Sequence, residues 1–227
     1  MPIERLDSCI RIQKAKRYIK QMKVLLINGS PRRQGNTHLA LQEVAKQLEK
    51  QGIESELVWI GNKPIRGCIA CYKCAGGDRR CVFNDDLCNE VIAKMADCDG
   101  LILGSPVYWG QPAGPLLSLQ QRMLVAGKPY FVGKPAAAVC LCRRGGATAA
   151  FQTLQMPFQM LNMPIVTSQY WNIAYGREEG QVAQDVEGLQ TMRTLANNMA
   201  WLLKKIKGIE TTETPEYEPW TPLSFIR

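Results

Sequence analysis

Short apolar segments alternate with amphipathic helical segments along most of the 227-residue chain. Five apolar segments are predicted strands, at 22–30, 54–60, 100–105, 135–142 and 164–171. Helical patterns occupy 37–51, 87–96, 115–125, 148–161 and 181–207, and Pro157 is expected to kink the fourth or end it early. Strands that are apolar throughout are typical of parallel sheets covered on both faces. The sequence therefore predicts an α/β fold with a doubly wound, five-stranded parallel sheet in three layers, which binds ligands at the carboxyl ends of its strands.

The composition fits one large domain with a substantial core, because 46% of the residues are hydrophobic. We predict that this domain spans 22–208, between an N-terminal extension at 1–21 and a Pro-rich tail at 209–227. Neither a secretory signal nor a membrane-spanning apolar run is recognisable, so we expect a cytoplasmic protein without a membrane partner. The formal charge of +8 is diffuse and no nucleic-acid-binding motif accompanies it. We therefore expect an anionic cofactor and no nucleic acid.

Four cysteines lie within fourteen residues, in the spacing C-x2-C-x2-C-x6-C: Cys68, Cys71, Cys74 and Cys81. Three thiols at a stride of three can point into one volume, and the glycine pair after Cys74 lets the chain return with the fourth. This is a suitable ligand set for a [4Fe–4S] cluster. The surrounding segment at 61–86 has no periodicity, and a metal cluster would order such a loop. Zinc and a regulatory disulfide remain open, although zinc sites usually use two C-x2-C pairs set well apart. The other five cysteines are expected to be ordinary thiols.

The first strand is followed by a glycine-containing loop, Asn-Gly-Ser-Pro-Arg-Arg-Gln-Gly-Asn-Thr at 28–37. Ser30 and Thr37 offer hydroxyls, the next helix offers free N–H groups, and Arg32 or Arg33 offers a counter-charge. These groups predict a site for one terminal phosphate. The loop lacks both the Walker lysine and the dinucleotide glycine pattern. An ordinary strand-to-helix turn with a Ser/Thr cap remains the alternative. His38, the only histidine, is expected to be a partly exposed helix residue.

Two further strand ends carry loops that favour a flat ligand. Ser-Pro-Val-Tyr-Trp-Gly-Gln-Pro-Ala-Gly-Pro at 105–115 presents the adjacent rings of Tyr108 and Trp109 in a rigid setting, and a flat amphipathic ring system would fit there. The fourth strand ends in Cys-Arg-Arg-Gly-Gly at 142–146, where glycines admit a close backbone approach. Plain packing of the two aromatic residues is the alternative.

Two of these loops carry a family resemblance. Gly-Ser-Pro-Arg-x-x-Gly-Asn-Thr and Ser-Pro-Val-Tyr-Trp-Gly-x-Pro-Ala resemble the NADPH-dependent FMN reductase group of flavodoxin-like proteins, over about 22–207. With the four cysteines between them, the chain is similar to the iron–sulfur flavoproteins. The resemblance implies a homodimer or homotetramer and these FMN contacts: Ser30, Arg32, Asn36 and Thr37 at the phosphate; Pro106, Val107, Tyr108, Trp109 and Gly110 beside the isoalloxazine; Gly145 and Gly146 at its other edge.

The resemblance also implies a function. We expect an FMN-dependent oxidoreductase that passes electrons between NAD(P)H or a carrier and an acceptor such as ferredoxin or a quinone, through the cluster if the four cysteines hold one. The flavin supplies the chemistry, so no catalytic acid or base is required. Two alternatives stay open: a cluster-free NAD(P)H:FMN or quinone reductase, since related flavin reductases lack a cluster, and a non-enzymatic carrier of flavodoxin type.

Overall fold

A computed structural model describes residues 22–223. The predicted extension at 1–21 and the last four residues of the predicted tail lie outside the described residues, and the domain boundaries stay predictions. The strands of the described part are β1 Lys23–Asn28, β2 Glu54–Trp59, β3 Gly100–Tyr108, β4 Gln111–Pro112, β5 Ala136–Cys142 and β6 Ile173–Tyr175. Five of them form a parallel path in the order β2-β1-β3-β5-β6, and the two-residue β4 pairs antiparallel with the end of β3. The predicted five-stranded parallel sheet is confirmed.

Helices cover both faces of this sheet: α1 Asn36–Lys50, α2 Cys88–Ala96, α3 Gly114–Ala126, α4 Lys128–Phe131, α5 Ala147–Met160 and α6 Val186–Ile206. Short 3-10 turns lie at Lys73–Gly76 and Gln181–Gln184. One core cluster packs the helices α2, α3, α4 and α5 against one face of the sheet. A second core cluster packs α1 and α6 against the other face. The result is the predicted three-layered, doubly wound architecture.

The central strands are apolar throughout because both of their faces are covered. In β1, Leu25 and Ile27 belong to the core beneath α2–α5, whereas Val24 and Leu26 belong to the core beneath α1 and α6. All four side chains have no exposed surface. Alternate residues of a strand point to opposite faces of the sheet. A strand whose two faces are both covered therefore has apolar residues on each face.

The strand predicted at 164–171 is wrong. Within that range only Ile165 bridges to the sheet, opposite Ala136, and the edge strand is Ile173–Tyr175 instead. The chain leaves β5 after Val166, whose N–H still donates to Ala136, and returns at Asn172, whose carbonyl accepts from Cys140. The intervening Thr-Ser-Gln-Tyr-Trp is largely exposed, because a sheet position covered on both faces cannot accommodate these polar and large side chains.

Two helix predictions also need correction. The predicted helix at 181–207 is interrupted at Asp185, whose carboxylate accepts from the N–H of Gly188 at 2.9 Å and caps α6. The same carboxylate accepts from the N–H of Tyr175 at 2.7 Å, so the cap also fastens α6 to the end of β6. Of the two effects expected at Pro157, a kink or an early end, the early end is wrong, because α5 continues to Met160. Pro157 lies in the last turn, where the missing N–H removes a single helical hydrogen bond.

The described part of the C-terminal tail runs along α6. Trp201 donates from Nε1 to the carbonyl of Thr212 at 3.0 Å, and Arg193 forms two hydrogen bonds with Glu218 at 2.6 and 2.9 Å. Arg193 also bonds Glu43 of α1 at 2.9 Å, so this guanidinium links the tail to two helices. None of the helices described over 22–223 is long and apolar enough to cross a membrane.

Candidate functional site

The loop after β1 is held in shape by Asn28. Its side-chain oxygen accepts from the N–H of Ser30 at 3.0 Å, and its amide nitrogen donates to the carbonyl of Arg33 at 3.2 Å. Gly29 donates from its backbone to Gly104 of β3 at 2.8 Å. A Cβ atom on Gly29 would lie 2.6 Å from Leu116 Cδ2, so only glycine lets the loop lie this close to α3.

This loop delivers an uncapped helix N-terminus. Gly35 precedes α1 without a side-chain cap, and the first turn of α1 contains no acidic residue. Ser30 and Thr37 are almost fully buried, and Arg32 is exposed beside them. Free N–H groups, hydroxyls and a nearby cation are the groups that bind a phosphate. Ser30 and Arg32 lie in the loop and Thr37 lies in the first turn of α1, so these groups are close in the chain, and their contact with the phosphate of FMN stays a prediction.

Asn36 has a second set of partners. Its amide nitrogen donates to the carbonyl of Glu178 at 2.9 Å, and its side-chain oxygen accepts from the N–H of Val182 at 3.2 Å. These bonds fasten the start of α1 to the loop that follows β6. Because both polar atoms of its side chain have partners, Asn36 positions the segment at 28–37, which we call the phosphate loop. A direct contact between Asn36 and a phosphate stays a prediction.

The aromatic loop is a tight hairpin between β3 and β4. Trp109 and Gly110 have left-handed backbones, with φ of 53° and 77°, and Tyr108 pairs with Gln111 across the turn. Ser105 Oγ accepts from the N–H of Ala113 at 2.9 Å and closes the base of the loop. The Trp109 side chain is fully exposed. An indole presented in this way offers a flat ring a stacking surface.

The loop after β5 meets this hairpin. Gly146 has a φ of +86°, and a Cβ atom there would lie 2.9 Å from Gly110 Cα and 3.3 Å from Val107 Cγ1. Gly145 is exposed and has open space around it. The structure thus brings Gly146 against the aromatic loop, whereas Gly145 stands clear of it.

The parallel register places these loops at one edge of the sheet. Asn28 at the end of β1 lies opposite Gly104, and Ser105 lies opposite Cys140 in β5. The phosphate loop, the aromatic loop and the Gly145–Gly146 loop therefore all leave the sheet at the carboxyl ends of neighbouring strands. This is where doubly wound sheets bind their ligands.

The four cysteines of the central segment share one cavity. This cavity of about 200 Å³ has an almost wholly apolar lining, which includes Cys68, Cys71, Cys74, Cys81, Phe83 and Val125. The chain around it turns through left-handed residues at Ala70, Tyr72 and Arg79, with φ of 50°, 56° and 52°. Among residues 22–223 all eight cysteines are free thiols, and no three His, Cys, Asp or Glu side chains converge as ligands of a single metal ion.

Asn89 of α2 fixes the backbone of the fourth cysteine. Its side-chain oxygen accepts from the N–H of Cys81 at 2.7 Å, and its amide nitrogen donates to the carbonyl of Cys81 at 3.0 Å. The same amide group donates to the carbonyl of Phe83 at 3.0 Å. Cys81 therefore has a defined backbone position within an otherwise irregular segment.

Arg122 of α3 lines the cysteine cavity and was not predicted from the sequence. Only 1% of its side chain is exposed. Its Nε donates to Cys81 Sγ at 3.2 Å, and its Nη1 forms an ion pair with Asp86 and donates to the carbonyl of Arg66 at 3.2 Å. Burial lowers the pKa of this guanidinium, but the hydrogen bonds to Asp86 and Cys81 outweigh burial and leave the pKa raised. The residue is therefore a permanent buried cation beside a thiol.

The remaining cysteines of residues 22–223 and the histidine match the sequence interpretation, whereas Cys9 lies outside the described residues. Cys88, Cys98, Cys140 and Cys142 are buried in the core, and burial raises the pKa of the Cys88 thiol to about 12. Such thiols are unreactive at neutral pH. His38 is a partly exposed residue of α1, and burial lowers its pKa, so it is a neutral side chain near pH 7.

A doubly wound parallel sheet that carries a phosphate loop and an aromatic loop at one edge is typical of flavodoxin-like flavin-binding proteins. The family comparison is more specific. Residues 22–178 match the family described as NADPH-dependent FMN reductase, and the chain belongs to this family. The protein is accordingly an FMN-dependent oxidoreductase, as the loop motifs predicted.

Curated relatives include an iron–sulfur flavoprotein of Methanocaldococcus jannaschii, 34% identical over 198 residues, which are 82% of this chain and 100% of the relative. An iron–sulfur flavoprotein of Methanosarcina thermophila is 28% identical over 82% of this chain and 97% of its own. Among solved structures, RosB with a bound flavin-derived intermediate aligns with a TM-score of 0.64 at 16% identity, covering 91% of this chain and 98% of its own. A flavodoxin from the Archaea aligns at 0.55 with 14% identity, covering 81% and 99%. These two structures confirm the flavodoxin-like fold.

Proposed function

We propose that this FMN-dependent oxidoreductase takes electrons from NAD(P)H or a reduced carrier and passes them to an acceptor through a [4Fe–4S] cluster held by Cys68, Cys71, Cys74 and Cys81. The observation that carries the proposal is the shared cavity: four thiols that are spread over fourteen residues line one small, apolar space. Similarity to iron–sulfur flavoproteins supports the same proposal.

The residues around the cavity fit a cluster. Four thiolates are the usual ligand set of a cubane, and an apolar lining limits access of water to it. Arg122, which is ion-paired with Asp86, also offers an N–H donor to a thiolate at the Cys81 position. When bound, a cluster exchanges single electrons, whereas FMN exchanges a pair with a hydride donor.

The chain's own residues bind and orient the flavin in this proposal. Ser30, Thr37 and the first-turn N–H groups of α1 donate to the phosphate, and Arg32 supplies the counter-charge. The rings of Tyr108 and Trp109 would flank the isoalloxazine of bound FMN. Gly146 lacks a side chain, so the backbone of its loop can approach the ring edge. No side chain is assigned a proton-transfer role.

One observation favours a second candidate, the cluster-free NAD(P)H:FMN or quinone reductase. Within the described residues the cysteine side chains line a cavity but do not converge as ligands of a single metal ion. In that reading the four thiols are structural, and electrons leave directly from the flavin. A flavodoxin-type carrier is the third candidate, and it would lack reaction with NAD(P)H.

The proposal extends to the partners of the protein and to its cellular location. Exposed apolar residues surround both sites, among them Ile69, Tyr72 and Trp109. Such side chains commonly lie at protein interfaces, which supports a homodimer or homotetramer and docking of an acceptor such as ferredoxin; a quinone is the small-molecule alternative. We propose a cytoplasmic location because free thiols and iron–sulfur ligands suit a reducing compartment.

The test is a count of iron, acid-labile sulfide and FMN per chain in protein prepared without oxygen. We expect about four irons per chain, the stoichiometry of the cubane. Cys74→Ala should lose iron and keep FMN, because the phosphate and aromatic loops lie on other strand ends. Cys98→Ala is the matched control, since this buried thiol lies outside the cavity, and it should keep both cofactors.

The outcomes separate the three candidates. Near-zero iron in the wild type, with full FMN and rapid bleaching of the flavin by NADPH, would establish the cluster-free reductase. Flavin that no nicotinamide cofactor reduces, but that exchanges electrons with ferredoxin, would establish the carrier. Iron and NADPH bleaching together, with electron transfer to ferredoxin lost in Cys74→Ala, support the proposal.

A further inference from the structure

We propose that Arg122 acts on the iron–sulfur cluster through Cys81, and that its hydrogen bond to the Sγ of Cys81 raises the cluster's reduction potential. This inference rests on the proposed function, because it assumes that Cys81 is a ligand. It concerns a residue on α3, outside the cysteine segment.

The geometry aims the guanidinium at the sulfur. Nε donates to Cys81 Sγ at 3.2 Å, while the opposite side of the group is held by Asp86 and by the carbonyl of Arg66. Its plane also lies against the Phe83 ring, 5.2 Å from the centroid. With only 1% of the side chain exposed, these contacts fix its orientation. A guanidinium has five donors in a rigid fork, so it can serve a carboxylate, a carbonyl and a sulfur at the same time.

The bond to sulfur is not needed to place Cys81. Asn89 already holds the N–H and the carbonyl of that residue at 2.7 and 3.0 Å. Nor is it needed to satisfy Arg122, whose charge is paired with Asp86. What the contact adds is a cationic N–H donor on one particular thiol. Hydrogen bonds to ligand sulfurs and local charge are two determinants of the potential of such clusters.

The direction of the effect follows from charge. Reduction adds one negative charge to a group of iron, sulfide and four thiolates that is already anionic. Asp86 offsets part of the charge of Arg122, so the main effect is that of the hydrogen bond. The Nε–H directs its positive end at Cys81 Sγ and stabilises the reduced form more than the oxidised form, because little water is present to screen it. Loss of Arg122 should therefore make reduction less favourable and the potential more negative.

The scaffold holds this cation at a fixed place. Arg122 lies eight residues after Gly114, the first residue of α3, and so about 12 Å along the helix from the aromatic loop at a rise of 1.5 Å per residue. Neighbouring residues of α3 are buried in the core, including Leu119 and Met123. The guanidinium is therefore positioned by a packed helix rather than by the irregular cysteine segment that it contacts.

The experiment compares the full-length protein, prepared without oxygen, with Arg122→Met, Arg122→Gln and Arg122→Lys. The readouts are iron per chain and the midpoint potential of the cluster from a spectroscopically monitored redox titration; FMN content reports folding. Arg66→Gln is the matched control: its guanidinium also lies over Phe83, 4.9 Å from the centroid, but it pairs with the exposed Asp85 and contacts no cysteine.

We expect Arg122→Met to lower the equilibrium constant for reduction about tenfold, which corresponds to about 59 mV for a one-electron couple. Arg122→Gln removes the charge but retains a donor, and Arg122→Lys retains the charge but loses the fork, so both should shift the potential less. Arg66→Gln should leave it unchanged. If Arg122→Met does not fold, the other two substitutions carry the test, and shifts to lower potential in both support the inference.

Two results would overturn it: Arg122 variants with full iron and the wild-type potential, or an equal shift in Arg66→Gln. Either result leaves the cluster itself intact, so the proposed function survives. Wild-type protein without iron and sulfide overturns the cluster and this inference together, and the two failures are thus distinguishable.

Discussion

Trp59 donates a hydrogen bond of 2.7 Å from its indole Nε1 to the backbone carbonyl of Ser30. The last residue of β2 thereby fastens the loop that follows β1. Arg33 lies over the same indole, 5.7 Å from the ring centroid, and adds a cation–π contact. These two contacts join neighbouring strand ends. The phosphate loop is therefore held by the end of β2 as well as by β1, the strand that it follows.

Trp59→Phe should weaken FMN binding several-fold while the fold is kept. The ring stays in place, but the hydrogen bond to Ser30 is lost, and a net hydrogen bond contributes about 0.5–1.5 kcal/mol. Trp201→Phe is the matched control, because it removes an indole bond to the carbonyl of Thr212 in the tail. Fluorescence titration of apoprotein with FMN measures both. Equal losses in the two variants would contradict a specific role for Trp59.

Ser30→Ala and Thr37→Ala should each weaken FMN binding by about 1.5–3 kcal/mol, the usual contribution of a hydrogen bond to a charged group. Thr153→Ala serves as the control, since its hydroxyl donates only to Ala149 within α5. Cofactor released by heat should chromatograph as FMN, because a single terminal phosphate is expected at the loop. Recovery of FAD would refute the assignment of the phosphate site. Unchanged affinity for FMN in a variant that carries both Ser30→Ala and Thr37→Ala would also refute it.

Gly146→Ala should lower both the stability of the fold and the FMN content of the protein. The substitution strains a residue at φ +86° and also places a methyl group 2.9 Å from Gly110 Cα, which pushes the aromatic loop aside. Gly133→Ala separates the two effects, because Gly133 has a φ of +75° with open space around it and should show only the backbone strain of about 1–2 kcal/mol. Thermal unfolding and FMN content are measured for both. An equal FMN content in the two variants would show that the close contact has no role at the flavin.

Acid should release the C-terminal tail. The hydrogen bonds from Arg193 lower the pKa of Glu218 below its ordinary 4.5 in the folded protein. A lowered carboxyl pKa contributes stability that is fully present above the unfolded value and is lost as pH falls through the folded value, so the tail contact weakens below pH 4.5. Tryptophan fluorescence should report this step as the pH falls below 4.5. Glu218→Gln should abolish the step, and the exposed Glu213→Gln should keep it.

The sheet was predictable because its signal is local. A doubly covered strand such as β1 must be apolar at every position, and that pattern is visible in the sequence without any knowledge of partners. The phosphate loop was predictable for a similar reason, since glycine, serine and threonine lie between a strand and a helix within ten residues. The edge strand was misplaced because 164–171 contains β-favouring residues, while the sheet register that selects Ile173–Tyr175 is set by β5.

The residues that sequence reasoning missed act over long separations. Arg122 meets Cys81 across 41 positions, and Trp59 meets Ser30 across 29. No spacing within either segment indicates such pairs. A weaker signal was present for Trp59, which stands near the end of the predicted second strand at 54–60. Asp185 offered another, because an aspartate followed by an apolar helical pattern is a typical helix N-cap, and the structure uses it as one.

Helix α3 limits where this chain can tolerate insertions and deletions. Each added or removed residue between Gly114 and Arg122 would rotate the guanidinium by about 100° around the helix and carry it away from Cys81. The stretch between Cys74 and Cys81 has no such restriction, since Gly76 and Gly77 are exposed and have open space around them. Length changes compatible with function should therefore accumulate between the third and fourth cysteines, and the length of α3 should stay constant.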